Sequence, residues 1–95
     1  MDRALKALAS GQRRAIVRLL AESGGAPDPA CCAATTEVCA CKISERLGLA
    51  ASTVSHHMAL LREAGLVRAR KDGTWVYYAL DRERLREVAD AVARL

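Results

Sequence analysis

All four cysteines of the chain fall in one eleven-residue stretch, CCAATTEVCAC, as Cys31, Cys32, Cys39 and Cys41. Thiols gathered in this way act as a disulfide staple, a metal site or a reactive pair, and the setting decides which. Hydrophobic residues make up 52% of the 95. That is enough apolar surface for a core without cross-links, which argues against the staple. No apolar run approaches the roughly 20 residues needed to cross a bilayer. The opening MDRALKAL lacks the apolar block of an export signal. The expectation is a cytoplasmic protein with no membrane partner. In a reducing compartment, clustered thiols are metal ligands or reactive groups.

Several thiolates with no nearby imidazole select soft acceptors: trivalent arsenic or antimony, or cadmium, lead, mercury or zinc. Cys31 and Cys32 are adjacent and hard to use together, which disfavours a tetrahedral four-thiolate site. On a regular helix, residues i and i+2 stand roughly 200° apart. Cys39 and Cys41 therefore grip one ion only if their helix starts later or unwinds in its first turn. Charge distinguishes the segment further. Residues 25–41 hold Asp28 and Glu37 and no base, within a chain of net charge +4. The rest is basic, with five Lys/Arg in residues 1–24 and six in residues 42–80. A basic balance suits a polyanion, and an acidic thiol-rich loop suits a cation or metalloid.

The elements that must position these groups follow from periodicity. Helices are expected at about 2–9, 11–23, 38–47, 51–64 and 82–95, all within one domain spanning 1–95. Ser10 is placed to cap the second, whose stripe is Ile16, Val17, Leu19 and Leu20. GGAPDPA begins a loop over 24–37 that bears Cys31 and Cys32. The fourth helix has an apolar stripe at Val54, Met58, Leu60 and Leu61, with Gly65 as a left-handed terminator. The period then changes. Asp72-Gly73, between β-rich runs, marks a hairpin over about 66–80. Trp75 and Tyr77 share one face of its return strand by alternation and are expected to pack there. Asp81 caps the last helix, apolar at Leu85, Val88, Ala89, Val92 and Leu95.

A short helix, a glycine turn, a longer helix fronted by small polar residues and then a basic hairpin make a winged helix–turn–helix, mainly α with one β-hairpin. A helix that enters the DNA major groove needs small polar side chains on its outer face. Ser52, Thr53, Ser55, His56 and His57 supply them, while Val54 and Met58 point inward. Arg62, Arg68, Arg70, Lys71 and Thr74 lie where phosphates would pass the helix end and the wing. The expected partner is double-stranded operator DNA.

STVSHHMALLREAGLVRARKDGTWVYYAL resembles the ArsR/SmtB family of metal-responsive repressors. The likeness extends from LKALASGQRRAIVRLL to the last helix. It implies a homodimer whose first and last helices pair with their copies, through Leu5, Leu8, Leu85, Val88 and Val92. Two recognition helices would then sit about one DNA turn apart. The resemblance also places Cys39-x-Cys41 where thiolate-sensing members keep a cysteine pair. Arsenic-type members carry a third cysteine three residues on, where this chain has Ser44. The third thiolate then falls to Cys31 or Cys32. Three thiolates suit pyramidal trivalent arsenic, so arsenite or antimonite is the expected inducer, with cadmium, lead or zinc as alternatives. A second departure is Ala50-Ala51, where such proteins usually carry Ser-Gln. The family's other site, built from histidine and carboxylates on the last helix, has no histidine here.

Rival readings use the same thiols. A structural zinc knot would give a constitutive DNA binder. A redox or persulfide switch would join Cys31 or Cys32 to Cys39 or Cys41. Catalysis is not expected, nor is a small organic substrate. The positions six residues after the cysteines hold Glu37, Val38, Glu45 and Leu47 where an arsenate reductase needs arginine, and no Gly-rich phosphate loop is present.

Overall fold

The computed structural model describes residues 1–22 and 37–95. Cys31, Cys32 and nearly all of the expected 24–37 loop lie outside the described residues. The described elements are α1 (Asp2–Leu8), α2 (Gly11–Glu22), β1 (Val38–Cys39), α3 (Ala40–Leu47), α4 (Ala51–Glu63), β2 (Val67–Asp72), β3 (Trp75–Leu80) and α5 (Arg82–Ala93). The strands form one antiparallel sheet in the order β1-β3-β2. This is a winged helix–turn–helix, as expected, and all five helices lie within two residues of their expected bounds.

Local chemistry accounts for most boundaries. The Arg13 amide donates to Ser10 Oγ at 3.4 Å, and the Arg84 amide donates to Asp81 Oδ1 at 3.0 Å. These are side-chain caps at the starts of α2 and α5. Ala50, by contrast, starts α4 with no side-chain cap. Gly48 ends α3 at φ +65°, the left-handed conformation that glycine adopts without a Cβ penalty. Gly73 and Thr74 join β2 to β3, and only Gly73 has positive φ, at +62°. A glycine at the first of two turn residues is the type II′ hairpin pattern.

A Cβ at Gly73 would meet nothing within 4 Å, so a substitution there costs conformational energy and no packing. Gly73→Val is expected to destabilise the fold by about 1–2 kcal/mol. A thermal melt would register this as a fall of roughly 4–8 °C for each kcal/mol. An unchanged Tm would show that the turn relaxes into another geometry.

The core gathers Ala4, Ile16, Leu20, Ile43, Val54, Met58, Leu61, Leu66, Tyr78 and Val88 with their neighbours. Three expectations are corrected here. First, the third helix starts at Ala40 and not at residue 38, because Val38 and Cys39 extend and pair with Tyr78 and Tyr77. Second, Trp75 is only half packed, being 52% exposed. The added strand reaches only as far as Tyr77, so among the described residues no strand flanks β3 at Trp75 on that side. Third, Val88 is 2% exposed within its own subunit's core, which removes it from the expected dimer contacts. Leu8 and Leu85 also pack partly against that core, whereas Leu5 (40%) and Val92 (46%) stay exposed.

Candidate thiol site and nucleic-acid interface

Cys39 is the N-cap of α3, in extended conformation at φ −66°, ψ 141°. Because the helix begins one residue later, Cys39 and Cys41 are not held on opposite faces. Their Sγ atoms approach to 2.7 Å. The late start is one of the two conditions under which this pair can grip a single ion. Cys39 is 1% exposed and packs on Tyr77, while Cys41 is exposed. Among the described residues neither is joined in a disulfide. Among the described residues, no group of three or more Cys, His, Asp or Glu is placed to hold a metal ion. Cys31 and Cys32, expected to supply a third thiolate, lie outside those residues.

The thiols open onto a groove of about 230 Å³, far above the ~10–15 Å³ that one water requires. Its walls are the start of α3 (Cys39, Cys41, Ser44), the first turns of α4 (Ala51, Val54, Ser55) and the hairpin tip (Thr74, Trp75, Val76). The thiol pair thus faces both elements expected to touch DNA. A second tie joins the same parts. Arg70 on β2 donates from Nε and Nη2 to the Glu37 carboxylate at 2.9 and 3.0 Å, and its guanidinium stacks 4.7 Å above the Tyr77 ring. Glu37 leads into β1, and Tyr77 pairs with Cys39. The thiol-bearing strand is therefore fastened to the wing.

On α4, Ser52, Ser55 and His56 are exposed and Thr53 is half-buried. Arg62, Arg68, Lys71 and Thr74 are exposed as well. Arg70 is exposed, but Glu37 offsets its charge, so it serves the sheet before it serves a phosphate. His57 is the clear correction. It is 8% exposed and points away from the outer face. Its Nε2 lies 2.8 Å from Gln12 Oε1, and its Nδ1 lies 3.2 Å from Arg13 Nη1. Burial, then the nearby Arg13 and His56, hold its pKa below the usual 6.5. Gln12 and Arg13 were not anticipated, and the signal for His57 was available: it stands three residues after Val54 and four before Leu61, on the buried stripe.

Residues 34–69 match the family model described as bacterial regulatory protein, arsR family. Over 90 residues the chain is 37% identical to MJ1325 of Methanocaldococcus jannaschii, an uncharacterized HTH-type transcriptional regulator. The match covers 95% of this chain and 88% of that one. The chain belongs to the ArsR family of helix–turn–helix transcriptional regulators. This ArsR-family chain is also 40% identical over 75 residues to the arsenical resistance operon repressor of Escherichia coli K12. That match covers 79% of the present chain and 54% of the repressor, about half its length. Among solved structures, the homodimeric winged helix–turn–helix DNA-binding domain Mb0332 of Mycobacterium bovis is similar. It shares 32% identity at a TM-score of 0.69, covering 98% of this chain and 77% of that one. The present regulator is thus a DNA-binding transcriptional repressor by family, not an enzyme. Among its described residues no helix is long and apolar enough to cross a membrane.

Proposed function

We propose that this ArsR-family chain is a cytoplasmic, homodimeric repressor that releases an operator when a soft acceptor binds its thiols. Trivalent arsenic or antimony is the inducer, bound by Cys39, Cys41 and one of Cys31 or Cys32. The observation that carries this reading is the groove in which the two thiols face Ser55 of the recognition helix and Thr74 of the wing. An acceptor seated between Cys39 and Cys41 must part sulfurs that now stand 2.7 Å from each other, and so moves the start of α3 and, through the groove and the Arg70–Glu37 tie, the wing. A ligand that binds one arrangement better shifts the population toward it. Operator affinity falls if that arrangement misplaces the reading elements, and DNA weakens the acceptor in return. The E. coli relative named for arsenical resistance supports arsenic as the inducer. Exposed Leu5 on α1 and Val92 on α5 support a dimer contact, and the homodimeric M. bovis domain agrees.

The decisive experiment follows labelled duplex by anisotropy while arsenite, antimonite, cadmium, lead, zinc and peroxide are titrated in turn. Arsenite should release DNA at the lowest concentration. Release by cadmium, lead or zinc instead would reassign the ion, and release by peroxide alone would make the pair a redox switch. A monomer with no duplex affinity at low salt would end the operator reading.

Contacts to DNA are assigned to Ser52, Thr53, Ser55 and His56 for bases, and to Arg62, Arg68, Lys71 and Thr74 for the backbone. Ser55→Ala is expected to cost about 1–3 kcal/mol on the preferred duplex and little on an unrelated one. Lys71→Ala should weaken every duplex alike and reduce the salt slope by about 1. Equal losses on both duplexes for Ser55→Ala would remove it from base readout.

A further inference from the structure

His57 belongs to a chain of polar contacts that runs from the corner between α1 and α2 into the recognition helix. Arg13, 3.2 Å from its Nδ1, also donates from Nε to the Ala7 carbonyl at 2.7 Å and from Nη2 to the Lys6 carbonyl at 3.5 Å. These carbonyls belong to the last turn of α1, where the Lys6 oxygen also accepts from the Ala9 amide at 3.2 Å. Arginine donates and never accepts, so Nδ1 must be the acceptor. Nε2 must then carry the hydrogen that Gln12 Oε1 accepts at 2.8 Å. The contacts fix one neutral tautomer. A second proton, on Nδ1, abolishes the acceptor and sets an imidazolium against a guanidinium.

We propose that His57 is a positioning residue for DNA binding: neutral, it locks α4 to the α1–α2 corner, and protonated, it releases that lock and weakens operator binding. The surrounding charges favour release over tolerance. Arg13 faces the ring from α2 and His56 adjoins it on α4, with ring centroids 5.9 Å apart. Arg3 and Lys6 of α1 line the adjoining cleft with Arg13, and Glu63 of α4 is the one carboxylate among its lining residues. Burial, then Arg13 and His56, hold the His57 pKa below the usual 6.5, so the neutral lock is present at pH 7 and is lost as pH falls through the depressed value. His56 is exposed on the outer face of α4, where the expected DNA would lie, so it is replaced in every variant compared.

The inference goes beyond inducer binding and uses DNA affinity as its readout. The probe is the duplex that the wild-type protein selects from a random-sequence pool at neutral pH. Anisotropy from pH 8 to pH 5.5 is compared for His56→Gln, the double variant His56→Gln/His57→Gln, and His56→Gln/Gln12→Glu. His56→Gln should lose affinity on acidification by about tenfold, within the span typical of coupled sites. The double variant should be flat, since glutamine can accept from Arg13 without titrating. Gln12→Glu keeps the ring and should move the midpoint up by about one pH unit or more, because a carboxylate favours the imidazolium. Near-UV circular dichroism should stay native throughout. A pH profile unaffected by His57→Gln and Gln12→Glu, or loss of DNA only where the fold itself melts, would overturn the proposal. Failure of the pool to yield any preferred duplex would count against the operator reading instead.

Discussion

Cys39→Ser is expected to bind operator DNA as tightly as the wild type and to ignore arsenite. The wild-type response, a fall in affinity on the order of 5–150-fold if the coupling is typical, should collapse to none, and Cys41→Ser should behave alike. Neither thiol has a substitute at the start of α3, since Ser44, on the same groove, offers only a hydroxyl. The variant should not fail for lack of stability. Cys39 occupies an N-cap and makes no side-chain cap hydrogen bond, whereas serine is among the preferred N-cap residues. A serine there can donate and accept locally while removing the soft donor that arsenic needs. The measurement is the anisotropy titration with arsenite, with a thermal melt alongside. Arsenite-driven release from Cys39→Ser at wild-type concentrations would show that the α3 thiols are not the sensor.

Much of this was legible in the residues. The small polar face of α4, the glycine terminators and the Asp81 cap depend on neighbours within four positions, so sequence spacing reports them. The thiol geometry was legible as a condition: the pair converges only if the helix starts late. What made it start late was not local. Val38 and Cys39 extend because Tyr78 and Tyr77 offer a strand edge some forty residues away, and no two-residue pattern announces such a partner. Trp75 was misread for the same reason, because alternation gives the face of a strand but not what covers it. His57 is a different case. The outer face was drawn from residue polarity, and polarity hid a position whose spacing from Val54 and Leu61 places it inside. A buried histidine is acceptable when both ring nitrogens have partners, and Gln12 and Arg13 lie on another helix. The relation of the wing to the thiols needed the Arg70–Glu37 pair, residues 33 positions apart.

Removing both upstream thiols, Cys31→Ser with Cys32→Ser, is expected to impair the arsenite response as severely as losing Cys39. Single losses should be milder, because the adjacent thiol can take the vacant coordination position. The argument rests on donor count. Trivalent arsenic takes three sulfurs in a pyramid, the start of α3 supplies two, and Ser44 is not a third. The segment before β1 holds the other thiols of the chain, and Cys31 and Cys32 stand seven to ten residues from the α3 pair in sequence. Restoring a third thiol within the groove tests the count from the other side. Ser44→Cys in the double-serine background should recover arsenite-driven release, since residue 44 lines the same groove as Cys39 and Cys41. The readouts are operator anisotropy and the arsenic-to-protein ratio after desalting, and the second does not depend on DNA. A double-serine variant that binds arsenic and releases DNA like the wild type would sink the three-thiolate site and leave the α3 pair sufficient alone. One that binds no arsenic and is not rescued by Ser44→Cys would show that the upstream thiols do more than complete the pyramid.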